Sequence, residues 1–398
     1  MEKLILTTLI LLGWSVRINA QVTYIPDPNF EQALINYGLD NGTIDGQVAT
    51  VSIDTVTILN VNNYGIADMT GVEDFVSLRK LWSVNNSFTG IDVSNLVNLE
   101  WLSLGNGNLS SLDVSNNPNL EVLECAISNL SALDLSANTS LKILQCFSNN
   151  ISYLDLSNCP DIQQIKCNLN DLDSISFNQN IMLSELYCGD NNLTQINLSQ
   201  TPNLMILDLS GNLLSTIDVS YCQNLETFSI TGTNLTELDL SQNPNLVMVN
   251  CSYSDLVCLN VKNGNNSSIT SFSAENNSNL ACIEVNDVNW ATNNWTIDAT
   301  ASFNTYCNNS CSLGVHSVKM FNVDVFPNPT QNYLNLQLDR LAERVEISIL
   351  NYLGQTLESS VYSNTSELTL SMPLNAGVYF LKIALNEDEM QLIRVLKE

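Results

Sequence analysis

The chain has 398 residues and a formal charge of -28, a length that implies two or three domains. The charge gathers in the middle: between residues 88 and 261 there are 18 acidic side chains against two basic ones, Lys142 and Lys166. Such a surface repels phosphate backbones and anionic lipid, which excludes nucleic acid and membrane-surface binding and leaves neutral glycans, basic proteins and divalent cations as partners.

Residues 1–20 carry Lys3, an apolar run from Leu4 to Trp14 and then Ile18-Asn19-Ala20, the layout of a secretory signal cleaved before Gln21. The run is too short to span a bilayer. No cysteine follows the cleavage point, no lipoprotein anchor is expected, and no later segment has the apolar length of a transmembrane span. Residues 21–65 read as an N-terminal cap. Asp27 before Pro28, an apolar run through Phe30 and Leu34, and Gly38 at the stop predict a capped helix facing the first coil. Ile25-Pro26-Asp27-Pro28-Asn29-Phe30 resembles the entry segment of repeat proteins from Bacteroidetes-type bacteria. The stretch from Asp40 to Gly46 lacks the carboxylate spacing and terminal Glu of a calcium loop, so a plain turn is expected.

From Phe88 an apolar residue recurs every 21 positions, through Leu109, Leu130, Ile151, Leu172, Leu193, Leu214 and Leu235 to Leu256. Companions follow three and five residues on, as in Leu133 with Leu135. A second triplet sits half a coil later, as in Leu120, Leu123 and Cys125. Alternation places side chains on one face of a short strand, and one coil cannot bury that face alone, so coils must stack. The unit from Leu130 to Asn150 resembles the leucine-rich repeats of bacterial surface proteins, in the short, cysteine-ladder form of the internalin J type. Residues 66–285 are thus expected to form a mainly β solenoid of 21-residue coils. For function the resemblance implies protein or glycan recognition without naming the ligand.

The eleven cysteines fall into three groups. Cys125, Cys146, Cys167, Cys188 and Cys251 share one inward column with Leu104, Leu209 and Ile230, so the thiol serves as a small hydrophobe. A straight ladder does not converge on a metal, and no metal or cofactor is expected. Cys159 and Cys222 alternate with Asn117, Asn138, Asn180, Thr201 and Asn243, residues able to offer a hydrogen to loop carbonyls; this resembles the asparagine ladder of leucine-rich repeats. Cys258, Cys282, Cys307 and Cys311 allow three pairings. Residues 286–311 read as a C-terminal cap, and the stretch from Cys282 to Cys307 resembles the closing cap of flavobacterial repeat proteins; on that likeness a Cys282–Cys307 disulfide is expected.

Residues 312–323 read as a linker, and 324–398 as a small antiparallel β-sandwich, with alternating segments at Tyr333 to Leu338, Glu346 to Leu350 and Val378 to Ala384. The motifs Pro327-Asn328-Pro329, a turn containing Gly354, and Gly377-Val378-Tyr379 running on to Lys382 occur in that order. They are similar to those of the type A sorting domain of the type IX secretion system. That resemblance implies recognition by outer-membrane secretion machinery and delivery to the cell surface or medium.

Catalytic chemistry is poorly represented. The one histidine, His316, lies in the linker, which removes histidine triads and the usual zinc sites from the solenoid, and no P-loop or GxSxG appears. The acids form a column of their own: Asp92, Asp113, Asp134, Asp155, Asp218 and Asp239, completed by Ser176, Asn197 and Asn260. Each Asp precedes a Ser by two residues, which suits local turn bonding; a calcium-coated edge is the alternative. Recognition is expected where the coils disagree, at two outward rows. One runs Trp101, Val122, Ile143, Gln164, Glu185, Ile206, Thr227, Met248; the other runs Ser103, Glu124, Gln145, Lys166, Tyr187, Asp208, Ser229, Asn250. The candidate ligand-binding residues are Trp101, Glu124, Gln145, Phe147, Lys166, Tyr187 and Asp208, with aromatic rings to anchor a protein or stack a sugar. The expected function is an exported, non-catalytic recognition or adhesion module. The alternatives are a structural spacer without a ligand, and an unrecognised carboxylate hydrolase.

Overall fold

A computed structural model describes residues 21–307, 323–351, 356–372, 375–385 and 389–397. The signal segment, His316, Cys311 and Gly354 lie outside the described residues. The chain divides into two compact units, one up to Cys311 and one from Ser312.

The first unit is a leucine-rich-repeat solenoid. Its principal sheet has eleven parallel strands of three residues, one per coil, each in register with the next; Gln164–Lys166, for example, lies between Ile143–Gln145 and Glu185–Tyr187. A second, discontinuous row of strands runs half a coil away, with Tyr153–Asp155 beside Ser174–Ser176 and a four-stranded group from Glu237–Asp239 to Ser302–Asn304. The apolar columns meet in one continuous core, from Ile25 to Trp295. The leading column from Phe88 to Leu256 is buried throughout, as are Cys125, Cys146, Cys167, Cys188 and Cys251.

The principal sheet begins at Ile58–Asn60, inside the segment read from sequence as cap, and its second strand is Lys80–Trp82. The register step from Ile58 to Lys80 is one residue longer than the 21-residue step from Lys80 to Trp101, which hides this coil from a strict period. At the other end the C-terminal cap extends the second row by one strand, Ser302–Asn304 paired with Cys282–Glu284.

Each end is closed by a specific contact. The helix Pro28–Asn36 is capped by Asp27, whose Oδ1 accepts from the N–H groups of Asn29 and Phe30, while its Oδ2 accepts from those of Ala67 and Asp68. One carboxylate thus starts the helix and ties it to the first coil. Glu31, fully buried, receives the N–H groups of Asp45 and Gly46, so the loop from Asp40 is organised by a helix side chain. At the far end the Trp295 ring stacks on Phe272 at 4.2 Å and meets Trp290 edge-on, and its Nε1 donates to the Ile269 carbonyl. Cys282 and Cys307 are joined by a disulfide across this cap.

Coil-to-coil backbone bonds such as Ile127 N–H to the Phe147 carbonyl extend past the three-residue strands, but carbonyls at the buried corners need further partners. Asparagines supply them in two ladders. In the first, Asn138 Nδ2 donates to the Val114 and Asn117 carbonyls, and Asn117, Asn180 and Asn243 repeat the pattern. Cys159 and Cys222 stand in this ladder with longer sulfur contacts, 3.6 Å to the Asn138 carbonyl and 3.8 Å to that of Thr201. The second ladder, Asn149, Asn170, Asn191 and Asn212, is more complete. Asn170 Nδ2 donates to the Cys146 and Cys167 carbonyls while its Oδ1 accepts from Ile151 N–H.

The second unit is an antiparallel domain of five strands: Val323–Phe326, Tyr333–Leu350, Thr356–Ser371, Gly377–Leu385 and Glu389–Lys397. The segments read separately as Tyr333 to Leu338 and Glu346 to Leu350 are two halves of one long strand, joined across a register shift between Gln337 and Ala342. The first half pairs with Val323–Phe326 and the second with Gly377–Leu385. Alternate residues Leu334, Leu336, Leu338, Val345, Ile347 and Ile349 build its core.

Replacing Asn170 by Ala removes two donated bonds and one accepted bond at a buried corner, and should cost on the order of 3 kcal/mol in urea unfolding. The same change at exposed Asn98, which donates to the Val76 carbonyl, should cost no more than about 0.5 kcal/mol. Equal losses at the two positions would remove the ladder from the account of stability.

Candidate functional site

The outer face of the eleven-stranded sheet presents the first and third residue of every strand, because the middle residue points into the core. The sequence-selected residues occupy these rows, but they form two groups. Trp101 lies beside Trp82, with ring centroids 5.9 Å apart, and the Lys80 ammonium sits 5.7 Å from the Trp101 ring. Lys166 sits over Tyr187 at 5.5 Å. Four strand steps separate Trp101 from Glu185 in register, about 19 Å at the usual strand spacing, so Trp101 and Tyr187 do not share one contact patch. Phe147 stands two residues past Gln145, on the coil adjoining Lys166, and is half-buried.

Charged members of the rows are engaged with their neighbours. Glu124 accepts from Ser103 Oγ at 2.7 Å, Glu185 from Gln164 Nε2 at 2.7 Å, and Asp208 from both the N–H and the hydroxyl of Ser210. Burial, reinforced by Glu185 and Asp208, pushes the Tyr187 phenol up from its ordinary value, so it stays protonated as donor and acceptor. Ser103 and Val122, read as outward, are buried; Ser103 is flanked in register by Trp82 and Glu124, whose larger side chains leave it little exposure.

Two features of this face escaped the sequence reading. Lys80 and Trp82 stand 21 residues before Trp101 and Ser103, in period with them, but their coil precedes Phe88, where the sequence reading began its series of leading columns. The second is a column just past the strands held at positive φ: Asn63, Asn85, Asn106, Ile127, Ser148, Leu169, Asp190, Tyr253 and Asn276, with Gly211 and Gly232. Asn and Gly suit this conformation. Ile127, Leu169 and Tyr253 do not, and their side chains are 47%, 51% and 65% exposed. Ile127 and Leu169 lie on the coils either side of Phe147, so three apolar side chains follow one another over three successive coils, the last of them the Lys166 coil.

The aspartate column is built from local turns. Asp92, Asp113, Asp134, Asp155, Asp218 and Asp239 each accept from the N–H two residues on, at 2.8 to 2.9 Å, and Asn197 and Asn260 do the same. For Asp113 and Asp134 the Ser N–H and then the Ser hydroxyl hold the carboxyl below its ordinary range; for Asp92 the hydroxyl contributes most. Among the described residues no group of three or more His, Cys, Asp or Glu side chains converges as metal ligands would. The buried thiols sit far from reactivity: burial pushes Cys125 and Cys251 up to about 12 and Cys159 and Cys222 up to about 11.

In the second unit the sorting-motif residues tie one edge together. Asn328 Oδ1 accepts from Leu396 N–H, Thr330 N–H donates to the Leu396 carbonyl, and Tyr379 OH donates to the Asn375 carbonyl. A Cβ on Gly377 would stand 3.6 Å from the Tyr379 ring, in ordinary van der Waals contact with it. Pro327 and Pro329 bracket Asn328 at the end of strand Val323–Phe326, and Lys382 pairs with Ser348 and Leu392 across two strands.

Comparison with known proteins agrees with both halves of this description. Residues 324–396 match the secretion system C-terminal sorting domain family. Among solved structures, the chain is similar to the functional domain of InlJ from Listeria monocytogenes, which includes a cysteine ladder. The TM-score is 0.56 at 22% identity, over 95% of this chain and 99% of that one. An internalin, InlF, from the same organism matches with TM-score 0.43 at 19% identity, over 72% of this chain and 97% of that one. Among curated proteins no sequence relative was found. The fold and the tail define an exported leucine-rich-repeat protein. Its tail is the C-terminal sorting domain of the type IX secretion system, which implies interaction with that machinery and delivery to the cell surface or extracellular space. Among the described residues no helix is long and apolar enough to cross a membrane.

Two measurements test these assignments. A disulfide-type thiol reagent at pH 8 should leave the seven buried thiols unlabelled in the native chain and label them in denaturant; native labelling at that pH would contradict their burial. The turn-bonded carboxylates have folded-state pKa values below their unfolded ones, so their stabilisation is present above the ordinary range and is lost as pH falls through the depressed values. Asp113→Asn combined with Asp134→Asn should therefore lower stability at neutral pH, leave it nearly unchanged at acid pH, and so flatten the acid limb of the stability curve.

Proposed function

We propose that the solenoid is a non-catalytic recognition module that binds a basic protein on the outer face of its eleven-stranded sheet, around Lys166 and Tyr187. One observation carries this reading: Ile127 and Leu169, on the coils either side of Phe147, are half-exposed apolar side chains at positive φ, in a column that Asn, Gly, Ser or Asp fills in most other coils. A non-glycine residue there costs roughly 1–2 kcal/mol, and an apolar one gains nothing from solvent to offset it. A spacer without a ligand has no use for that cost.

The chemistry of the face favours a protein over a sugar at this place. The two prominent rings, Trp101 and Tyr187, each carry a lysine ammonium beside them, which competes with a sugar for the ring face. Phe147, Ile127 and Leu169 offer an apolar contact of the kind that anchors protein interfaces. Of the two basic residues between 88 and 261, Lys142 is paired with Glu121 at 2.9 Å and Lys166 leans on Tyr187, so the surrounding field is acidic and steers basic partners. Glu124, Gln145 and Asp208 border the patch as polar rim residues, and Trp101 belongs to a neighbouring patch with Lys80 and Trp82. The hydrolase reading finds less support, since the acids of the column are occupied in turns. In the second unit, Pro327, Asn328, Pro329, Gly377, Tyr379 and Lys382 are the residues proposed to shape the edge that the secretion machinery reads.

Leu169→Asn separates fold from function. It should raise stability by about 1 kcal/mol, read by urea unfolding, while weakening saturable, salt-sensitive binding of the full chain to basic extracellular proteins; Tyr187→Ala should weaken the same binding at unchanged stability. Binding that survives both substitutions places recognition elsewhere or favours the spacer.

A further inference from the structure

The second row of strands carries a cleft that the outer-face reading does not use. The column Gly90, Ser111, Ala132, Tyr153, Ser174 is small at every position but one. Tyr153 is 47% exposed, and because Ala132 one coil earlier is so small, one side of its ring is left uncovered. The resulting cleft encloses about 310 Å³, with Tyr153 and Ala132 as walls and Asp134, Asp155, Ser152 and Asn158 at its rim. Its volume lies at the lower end of small-molecule sites, which run from about 300 Å³.

The ring is held in place. Tyr153 OH and Ser176 Oγ lie 3.1 Å apart, and Ser176 occupies the position that Asp134 and Asp155 occupy in their own coils. The substitution in the column therefore gives the phenol a neutral partner and fixes the ring as a platform. Asp134 and Asp155 each accept a backbone N–H at 2.9 Å through Oδ1. An ionised carboxylate has about four acceptor positions, so both keep acceptors for a ligand. The Ser136 bonds hold the Asp134 carboxyl in its charged form.

We propose that this cleft binds a single neutral pyranose unit of a glycan. A pyranose presents one C–H face, which stacks on an aromatic ring, and a rim of hydroxyls that both donate and accept. The cleft has the matching set: the Tyr153 face, carboxylate acceptors on Asp134 and Asp155, and hydroxyl and amide donors on Ser152 and Asn158. Phosphorylated and uronic sugars are repelled by the two carboxylates. A lysine or arginine side chain would use the acceptors and leave the donors of Ser152 and Asn158 unmatched. The site belongs to a different row of the solenoid from the proposed protein-binding face, so either proposal can fail without the other.

The test is saturation-transfer NMR on the full chain with the methyl glycosides of glucose, galactose, mannose and N-acetylglucosamine, alongside arginine methyl ester. At least one glycoside should receive saturation at its ring protons. The signal should persist in Tyr153→Phe, disappear in Tyr153→Ala, and disappear in Ala132→Leu, which fills the cleft and leaves the tyrosine in place; thermal unfolding of each variant verifies the fold. Absence of transfer to every glycoside overturns the proposal. So does transfer that survives Ala132→Leu in a folded protein, or transfer to arginine methyl ester alone.

Discussion

The solenoid depends on asparagine side chains that bond the backbone of one coil to the next. A coil with three-residue strands must turn its main chain through the protein interior at two corners, where carbonyls have no strand partner and no water. An unpaired group there costs on the order of 1–3 kcal/mol, and the cost repeats in every coil. Asn170 meets it by donating to carbonyls of its own coil and the preceding one while accepting an N–H from the latter. A side chain with two donors and an acceptor on one short stem is what that geometry requires. The weaker sulfur contacts of Cys159 and Cys222 occur singly, each adjoined by an intact asparagine or threonine bond, so a thiol is accepted where the ladder already holds the corner.

Once the corners are satisfied, the core needs only volume. That explains why leucine, isoleucine and cysteine exchange in one column, and why the thiols are inert: burial that makes them good packing elements also removes the thiolate that redox and metal chemistry require. The same logic frees the surface. Outward positions on the principal sheet contact mainly one another and not the core, so they can differ from coil to coil at little cost to the stack.

How much could be read from the sequence follows from this division. Core columns, the first asparagine ladder and the turn role of the aspartates all repeat at 21 residues, and repetition is visible in a string of letters. The second ladder repeats as well, but Gly107, Ser128, Thr233 and Ser254 interrupt it, and its acceptor role is clear only once the carbonyls are placed. The first strand, Ile58–Asn60, was hidden by one inserted residue before Lys80, which shifts the period without disturbing the pairing. The long strand Tyr333–Leu350 was read as two pieces because its alternation breaks at the register shift near Ala342. The positive-φ column was illegible at the positions that matter most, since Ile127, Leu169 and Tyr253 give no turn signal; Asn and Gly in the neighbouring coils carry that information.

That last mismatch bears on what the protein is for. In a repeat protein each column is an internal control, because the same backbone conformation is imposed on many residues by the same neighbours. At the positive-φ column the other coils show that asparagine, aspartate, serine and glycine meet the backbone demand. Where an isoleucine, a leucine or a tyrosine stands instead, the local preference has been overridden by something outside the coil. Burial accounts for little of this at Tyr253, which is 65% exposed, and at Ile127 and Leu169 about half of the residue stays in solvent. Export leaves Ile127, Phe147 and Leu169, on three successive coils, facing the extracellular medium as an apolar patch in an acidic field, the arrangement that marks interaction surfaces.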